Sequence, residues 1–183
     1  FDSITLAPST PVTMIGYHND VLCFGGSTGT ATFVVTDGVP PYNYLWNNGD
    51  TNSTATNLTA GMYYCTVTDA NNCTYIDSIL VSQPSSALAV NINVLNDIQC
   101  FGDSVGAAEI SSISGGVSPY DILWENGITS NLASNLIGGY NIFSIIDDNG
   151  CILTDSILIN TNSEIQATYN ISNILCNGDT TGE

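Results

Sequence analysis

The six cysteines are the residues of this chain with the clearest chemistry, because two thiols can form a disulfide and several thiolates can bind zinc. Two pairs recur with similar spacing: Cys23 with Cys73, and Cys100 with Cys151, each enclosing about 50 residues. Zinc sites usually bring cysteines or histidines within a few residues of each other, and these pairs lack such neighbours. We therefore predict one disulfide in each repeat, tying two loops at one end of its domain, and an oxidising compartment.

The other two cysteines have no partner at this spacing. Cys65 aligns with Phe143 of the second repeat, so we expect a buried free thiol in an apolar core. Cys176 falls at the start of a further repeat, and we expect it to pair with a cysteine beyond residue 183.

The first cysteine of each pair lies in a string that recurs along the chain, at 19–25, 96–102 and 173–179. Its cysteines, at 23, 100 and 176, are 77 and 76 residues apart, which is the size of a small domain and far longer than a solenoid repeat. We predict that the chain comprises the end of one repeat, two full repeats and the start of another, at 1–10, 11–87, 88–163 and 164–183.

The hydrophobic pattern predicts the elements that position these cysteines. Apolar residues alternate with polar ones, for example over 30–35 and 62–68, and turn residues interrupt the pattern every 8 to 12 positions. The pattern indicates an all-β fold of tandem immunoglobulin-like sandwiches with about seven strands each. Trp46 and Trp124 are expected in the cores, and Tyr63 is expected to form a tyrosine corner. In the second repeat Tyr140 aligns with Met62, so the corner there is expected to be shifted or absent.

Charge excludes two classes of partner. The chain has no Lys or Arg and 17 Asp or Glu residues, giving a formal charge of −17. Nucleic acids and anionic membrane surfaces would be repelled. No apolar stretch approaches the roughly 18 residues of a membrane span, so membrane insertion is not expected.

Catalysis is not expected either, because the residues for it are missing. His18 is the only histidine, it has no counterpart in the second repeat, and no serine has a base to activate it. The carboxylate pair Asp147 and Asp148 is not repeated, since Ala70 replaces Asp148 in the first repeat.

Calcium is the candidate cofactor, because it binds six to eight oxygen atoms and no cationic side chain competes for the carboxylates. The alternative is that these residues form turns through bonds to their own backbone. The candidate ligands lie in loops, at Asp20, Asp69, Asp97, Asp147 and Asp148.

The recurring motifs resemble the SprB repeat of the giant surface adhesins of gliding Bacteroidota. The likeness lies in Cys-Phe-Gly, Gly-x-x-Pro-Tyr-x-x-x-Trp-x-x-Gly, Asn-Leu-x-x-Gly, Val-x-Asp-x-x-x-Cys and Gln-Pro. The resemblance implies an extracellular cell-surface chain exported by the type IX system, in filaments that mediate attachment and gliding. The family also includes giant proteins of bacteria that do not glide.

A further motif resembles the O-glycosylation signal of Bacteroidota, in which Asp precedes Ser or Thr. The matching acceptors are Ser3, Ser78, Ser104, Ser156 and Thr180. The alternative is that Asp-Ser-Ile marks the entry to a strand, with the aspartate capping a turn.

Two functions remain open from the residues alone. In the first, each repeat binds polysaccharide or substratum weakly, through Tyr42, Tyr44 and the Asn48-Gly49 turn, and repetition provides avidity. In the second, the repeats are spacers that hold a distant tip away from the cell, and these tyrosines belong to the core. The expected partners are neighbouring repeats and, through weakly charged edge strands, other copies of the chain.

Overall fold

The computed structural model describes residues 11–170, and its regular elements there are all β-strands. The first module contains β1 to β6, at Thr13–Asn19, Gly29–Asp37, Asn43–Trp46, Thr54–Leu58, Gly61–Thr68 and Thr74–Val81. The second contains β7 to β12, at Ala89–Asn96, Gly106–Ser114, Tyr120–Trp124, Leu132–Leu136, Gly139–Asp147 and Ile152–Ile159. The predicted all-β fold is confirmed, with six strands in each module in place of about seven.

Each module is a sandwich of two three-stranded antiparallel sheets. In the first module the sheets have the orders β1-β2-β4 and β3-β5-β6, and the second module repeats this arrangement with β7-β8-β10 and β9-β11-β12. Because side chains alternate between the two faces of a strand, each sheet turns one apolar face inward. Each module therefore has its own immunoglobulin-like core.

The predicted tryptophans occupy the two cores. Trp46 is 2% exposed and stacks on Phe33, with ring centroids 5.3 Å apart. Its indole N–H donates to the carbonyl of Asn52 at 2.9 Å, so the buried polar atom is satisfied. Trp124 repeats this bond with Ser130 and lies 5.0 Å from the ring of Phe143.

The two cores place their large aromatic side chains on different strands. In the first module Phe33 lies on β2 and Cys65 on β5, whereas the second module has Ile110 on β8 and Phe143 on β11. All four side chains are at most 3% exposed. One core therefore has an aromatic ring where the other has a smaller side chain, which conserves the volume around the tryptophan.

The tyrosine corner of the first module forms as predicted, since the Tyr63 hydroxyl donates to the Thr59 carbonyl at 3.1 Å. The second module closes the same turn differently. Tyr140 is 70% exposed, and the amide of Asn141, at the position of Tyr63, donates to Ile137 and Gly139 carbonyls. Asn141 is 8% exposed, so its shorter side chain is buried inside the turn whose carbonyls it binds.

The predicted Cys23–Cys73 disulfide does not form, because the two residues lie at opposite ends of the first sandwich. Cys23 lies in the loop that follows β1, whereas Cys73 lies in the β5–β6 turn. That turn is beside the start of β1: a Cβ on Gly38 would lie 3.0 Å from Val12 and 3.6 Å from Asp69 of the turn. A seven-residue strand spans roughly 20 Å. A disulfide joins Cα atoms only about 4.4–6.8 Å apart.

The predicted Cys100–Cys151 disulfide is wrong for the same reason. Cys100 follows β7 at one end of the second sandwich, and Cys151 lies in the β11–β12 turn at the other. The prediction of one link within each domain placed both loops at the same end, and the strand directions put them at opposite ends.

Candidate functional site

A disulfide joins the two modules where they meet. It links Cys23 to Cys151, with Cα atoms 5.6 Å apart and 128 residues apart in sequence. Tandem sandwiches place the far end of the first module next to the near end of the second. The loop after β1 therefore meets the β11–β12 turn, and we call this region the joint.

The recurring string of 19–25 holds Cys23 at the far end of the first module. The Asp20 carboxylate accepts from the N–H of Ser82 at 2.8 Å, and the Val21 N–H donates to the Ser82 carbonyl at 2.9 Å. The Gly25 N–H donates to the side-chain oxygen of Gln83 at 2.8 Å. These bonds fasten the loop to the residues that follow β6, so its cysteine faces the next module.

The β11–β12 turn holds Cys151 through a buried carboxylate. Asp147 is 4% exposed, and its Oδ1 accepts from the N–H groups of Asn149 at 3.0 Å and Cys151 at 2.8 Å. Its Oδ2 accepts from the Val117 N–H at 2.9 Å, which ties the turn to the β8–β9 loop. Three backbone donors on one carboxylate leave the turn little freedom.

The chain between the modules, residues 82–88, is bound on both sides. The Gly116 N–H donates to the Ser86 carbonyl at 3.1 Å, and the Asn149 side-chain amide donates across the joint to the Leu22 carbonyl at 2.9 Å. Apolar side chains also face the joint, around a cleft of about 370 Å³, including Phe24, Leu88 and Leu153. The joint is thus held by a covalent bond and by hydrogen bonds.

Gly115 allows the linker to approach the second module. Its φ is +73°, and a Cβ at this position would overlap the carbonyl oxygen of Ala87. We expect Gly115→Ala to push the linker away and to lower the equilibrium constant for closing Cys23–Cys151 in a glutathione buffer by roughly tenfold, within the ~1–3 kcal/mol range of overpacking.

The matched control for this substitution is Gly127→Ala. Gly127 has a similar φ of +87° with no atom within 4 Å of its added Cβ, so it carries the backbone strain without the overlap. Equal closure in the two variants would contradict a role for Gly115 in the joint.

The turn of the first module repeats that of the second, with Asp69 in the place of Asp147. Asp69 is 3% exposed and accepts from the N–H groups of Asn71, Cys73 and Val39. Burial raises the pKa of the Asp69 carboxyl, but the bonds from Cys73, Val39 and Asn71 outweigh burial and hold the pKa below its ordinary value.

The lowered pKa of Asp69 predicts acid destabilisation. An unfolded aspartate has a pKa of about 3.9, so the stabilisation is fully present above that pH and is lost as the pH falls through the lower folded value. We expect thermal melting between pH 2 and 6 to show a steeper loss below about pH 4 in the wild type than in Asp69→Asn. The exposed Asp121→Asn should follow the wild type; parallel curves for the wild type and Asp69→Asn would contradict the prediction.

A family comparison matches two segments of the chain, one in each module. The SprB repeat matches residues 18–51, from the end of β1 through β3, and residues 92–129, from β7 through β9. The two matches support membership of the SprB-repeat family. The matches support an extracellular repeat protein. Both segments contain a Cys-Phe-Gly string, and the string of the first segment lies in the joint.

No curated protein matches this chain. Among solved structures, the three N-terminal domains of the highly immunogenic outer capsid protein of bacteriophage RB49 are similar at 16% identity, over 84% of this chain and 59% of that chain, with a TM-score of 0.44. The C-terminal fragment of intimin, solved with the intimin-binding domain of its translocated receptor, is similar at 14% identity, over 81% and 64%, with a TM-score of 0.44. Domains 4–9 of the surface layer protein SbsC are similar at 12% identity, over 89% and 32%, with a TM-score of 0.28.

This chain spans less than two thirds of the length of each of these three structures.

The remaining cysteines of the SprB repeats stay unpaired within residues 11–170. Cys65 is fully buried at the core position predicted for it, and burial raises the pKa of its thiol. Cys73 is half-buried and Cys100 is exposed. Cys176 lies outside the described residues.

The candidate calcium ligands are not brought together. Asp20 and Asp97 each bind the backbone after the last strand of their module, while Asp69 and Asp147 bind their own turns. Asp148 is exposed beside the second turn. Across residues 11–170, no group of three His, Cys, Asp or Glu side chains is placed to hold a metal ion. The aspartates serve as turn and loop anchors there.

The candidate glycosylation sites differ in exposure. Ser78 on β6 and Ser104 after β7 are exposed, whereas Ser156 on β12 is half-buried. Ser3 and Thr180 lie outside the described residues. At Ser78 and Ser156 the preceding aspartate accepts from the serine N–H at 2.7 Å, which is the local structural use of the Asp-Ser motif.

The tyrosines predicted as adhesive pack against the core. Tyr42 and Tyr44 are both half-buried, and the Tyr42 hydroxyl donates to the Gly38 carbonyl at 3.2 Å. Burial is the main cause of the raised pKa of the Tyr44 hydroxyl, and charge repulsion from Cys65 and Tyr42 raises it further. Asn48 binds Asp50 in its own turn.

The outward face of one sheet is apolar in both SprB repeats. In the first module it lies on β3, β5 and β6, and in the second on β9, β11 and β12. Its aligned pairs are Leu45 and Leu123, Met62 and Tyr140, Tyr64 and Ile142, and Leu80 and Leu158, each at least 43% exposed. We call these residues the apolar face; the sequence showed their alternation but not that the face is uncovered.

The described part of the chain offers little else for chemistry. His18 lies 3.6 Å from Asp20, and both side chains are about half exposed. Residues 11–170 contain no helix that is long and apolar enough to cross a membrane. The sequence did not reveal the roles of Gly115 and Asn149. Gly115 aligns with Asp37 of the first repeat, so repetition does not mark it. Asn149 aligns with Asn71, and this recurrence could have identified it.

Proposed function

We propose that this chain is a stiff stalk segment of a cell-surface adhesin, which holds a distant binding region away from the cell. The observation that carries the proposal is the Cys23–Cys151 disulfide across the joint. Domains joined by a short chain ordinarily move relative to one another unless their interface is large. Here a covalent bond beside the linker gives the two modules a second connection, so bending at the linker requires the joint to open.

The hydrogen bonds of the joint support the same function. Bending would have to break the Asn149–Leu22 bond and the Gly116–Ser86 bond together. Neither residues 82–88 nor the flanking strand ends contain a long Gly or Ser run that would act as a flexible hinge. Gly115 and Gly116 at the joint pack closely against the linker residues Ala87 and Leu88.

Electron microscopy and small-angle scattering test the stalk. Oxidised chain should give one narrow distribution of angles between the modules, and Cys23→Ser should give a broader one. The matched control is Cys100→Ser, which removes a cysteine without touching the observed disulfide and should stay narrow. A broad distribution for the oxidised wild type would contradict the stalk.

A second candidate function is weak adhesion by the repeats themselves, favoured by the apolar face in both modules. Tyr64 and Tyr140 are 50% and 70% exposed there. Such a face, repeated along an array, would contact a polysaccharide or an apolar substratum many times over. The same face would also serve lateral association between copies of the chain.

Binding to polysaccharide-coated and apolar surfaces tests this second function. Replacing Tyr64 and Tyr140 together by Ser should abolish retention, whereas Tyr17→Ser should not, because Tyr17 is 58% exposed on the other sheet. Sedimentation of the same variants separates adhesion from self-association. Equal retention of both variants would argue against the apolar face.

The resemblance to gliding adhesins supports a finer assignment. We include in the proposal export by the type IX system and a role in gliding. Antibody-labelled native protein should move along the surface of gliding cells; label that stays fixed while cells glide would contradict this role.

Glycosylation is part of the same proposal, at the exposed Ser78 and Ser104. Intact mass spectrometry of native protein should show hexose-sized increments that disappear when both serines are replaced by Ala. A native mass equal to that of the unmodified sequence would exclude glycans.

A further inference from the structure

Both halves of the joint occur a second time in this chain. The half supplied by the first module is Cys23 and Phe24, at the far end. At the far end of the second module, Cys100 and Phe101 follow β7 just as Cys23 and Phe24 follow β1. Phe101 is 58% exposed, and Phe24 is 48% exposed.

The far-end loop of the second module is fastened like that of the first. The Asp97 carboxylate accepts from the Asn160 N–H at 2.8 Å, as Asp20 accepts from Ser82. The Ile98 N–H donates to the Asn160 carbonyl at 2.9 Å, as Val21 donates to Ser82. Cys100 is therefore held in the position from which Cys23 reaches the next module.

The other half of the joint recurs at the near end of the first module. In the β5–β6 turn, Asn71 and Cys73 align with Asn149 and Cys151, which make the cross-joint hydrogen bond and disulfide. The Asp69 carboxylate accepts from the Asn71 and Cys73 N–H groups at 2.9 and 2.8 Å, matching the bonds of Asp147. The turn thus has the shape that the disulfide uses in the second module.

The far end of the second module also has a cleft where the joint would be. It measures about 520 Å³ and is lined by Cys100, Phe101 and Ile165, among others. Ile165 is 94% exposed. At the observed joint, the corresponding cleft is smaller, about 370 Å³, and Ile152 and Leu153 of the following module form part of its lining.

We propose that Cys100 forms a disulfide with the turn cysteine of a following SprB repeat, and Cys73 with the Cys-Phe-Gly cysteine of a preceding one. The occupant of each end is thus another repeat of the same kind. This inference deepens the stalk proposed above and rests on it for its setting, because it closes every joint of the stalk covalently.

The chemistry of each link is thiol oxidation. Two cysteine thiols become one disulfide and release two protons and two electrons, which a disulfide oxidant accepts as it becomes two thiols. In vitro the oxidant is oxidised glutathione, and outside the cytoplasm it is a protein of the dithiol–disulfide class.

Successive covalent loops then overlap along the array. Cys100 lies between Cys23 and Cys151, so the loop that it closes with the next repeat begins inside the loop already present. Each module is then linked by disulfides to both of its neighbours, in addition to the backbone.

Disulfide mapping of the native surface protein tests the proposal. This segment has no Lys or Arg, so unreduced protein is cleaved at Asp and Glu, and linked peptides are identified by mass. We expect Cys100 linked to a turn peptide of the following repeat and Cys73 linked to a Cys-Phe-Gly peptide of the preceding one. Recovery of Cys23–Cys73 or Cys100–Cys151, or alkylation of Cys73 and Cys100 as free thiols, would overturn the inference.

A substitution in the native protein sharpens the test. Cys100→Ser should remove one linked peptide and release one alkylatable thiol in the following repeat, whereas the control Cys65→Ser should release none, because Cys65 is a buried free thiol. Release of no thiol by Cys100→Ser would count against the link.

Disulfide mapping tests the links between repeats, and microscopy tests the stiffness of the stalk, so each proposal can be refuted without the other. An array with mapped links between repeats that still bends freely in micrographs would retain this inference and overturn the stalk. A straight array with free Cys73 and Cys100 would retain the stalk and overturn the links between repeats.

Discussion

Pulling the oxidised chain by its two ends is expected to release about 450 Å less contour length than pulling the Cys23→Ser variant. The disulfide joins residues 128 apart in sequence, and an extended chain spans about 3.3–3.6 Å per residue. Tension entering at β1 passes through Cys23 to Cys151 and leaves through β12, so the enclosed residues carry no load. Only the segments outside the loop can extend.

Single-molecule force spectroscopy measures this difference directly. Both proteins are best compared with Cys73, Cys100 and Cys176 replaced by Ser, which removes three other cysteines that could cross-link molecules and leaves the observed disulfide in place. A reducing agent should convert the oxidised trace into that of Cys23→Ser. If the oxidised chain extends to its full length before reduction, the disulfide across the joint is refuted.

A disulfide between modules suits a stalk better than one within a module. A link within one module would protect that module alone and leave the linker as the weak point. A link across the joint places the covalent bond beside the linker, where bending and pulling act. The loop-entropy model also predicts that closing so long a loop stabilises the folded pair by about 5 kcal/mol.

The second large effect is expected in the core of the first module, where Cys65→Phe should lower the free energy of unfolding by about 1–3 kcal/mol. Cys65 is fully buried, and its strand partner Trp46 already stacks on Phe33. A second benzyl side chain beside Trp46 has no free volume. Urea unfolding followed by tryptophan fluorescence measures the loss.

Adding Phe33→Ile to Cys65→Phe should restore much of the stability. The double variant has the combination found in the second module, where Ile110 and Phe143 surround the tryptophan. The double-mutant cycle should give a favourable coupling of about 0.5–3 kcal/mol. Additive losses from the two substitutions would mean that the two cores are not related by this exchange.

The reverse exchange in the second module is the control. Phe143→Cys alone should leave a cavity and destabilise the module, and adding Ile110→Phe should compensate in part. Because Trp46 and Trp124 each report on one module, the two unfolding transitions can be assigned by replacing one tryptophan with Phe.

Much of the architecture was predictable from local patterns. Alternating apolar residues predicted the strands because a strand has a period of two, and the tryptophans were expected in the core because such large apolar groups gain most from burial. The Tyr63 corner was also predictable, because it depends on residues only four apart. Its replacement by Asn141 was not, because the shorter amide side chain reaches the Ile137 and Gly139 carbonyls only in the folded turn.

The features of the candidate site also fall into those set by the sequence and those set by the folded structure. The sequence by itself determined the repeat period, the position of every cysteine, the buried place of Cys65 and the lack of basic residues. Only the tertiary structure decided which cysteines meet. Strand direction puts Cys23 and Cys73 at opposite ends of one sandwich, and end-to-end stacking brings Cys23 to Cys151 of the next. Pairing is a property of distance in space, and two cysteines 128 residues apart become neighbours only when both modules have folded and met.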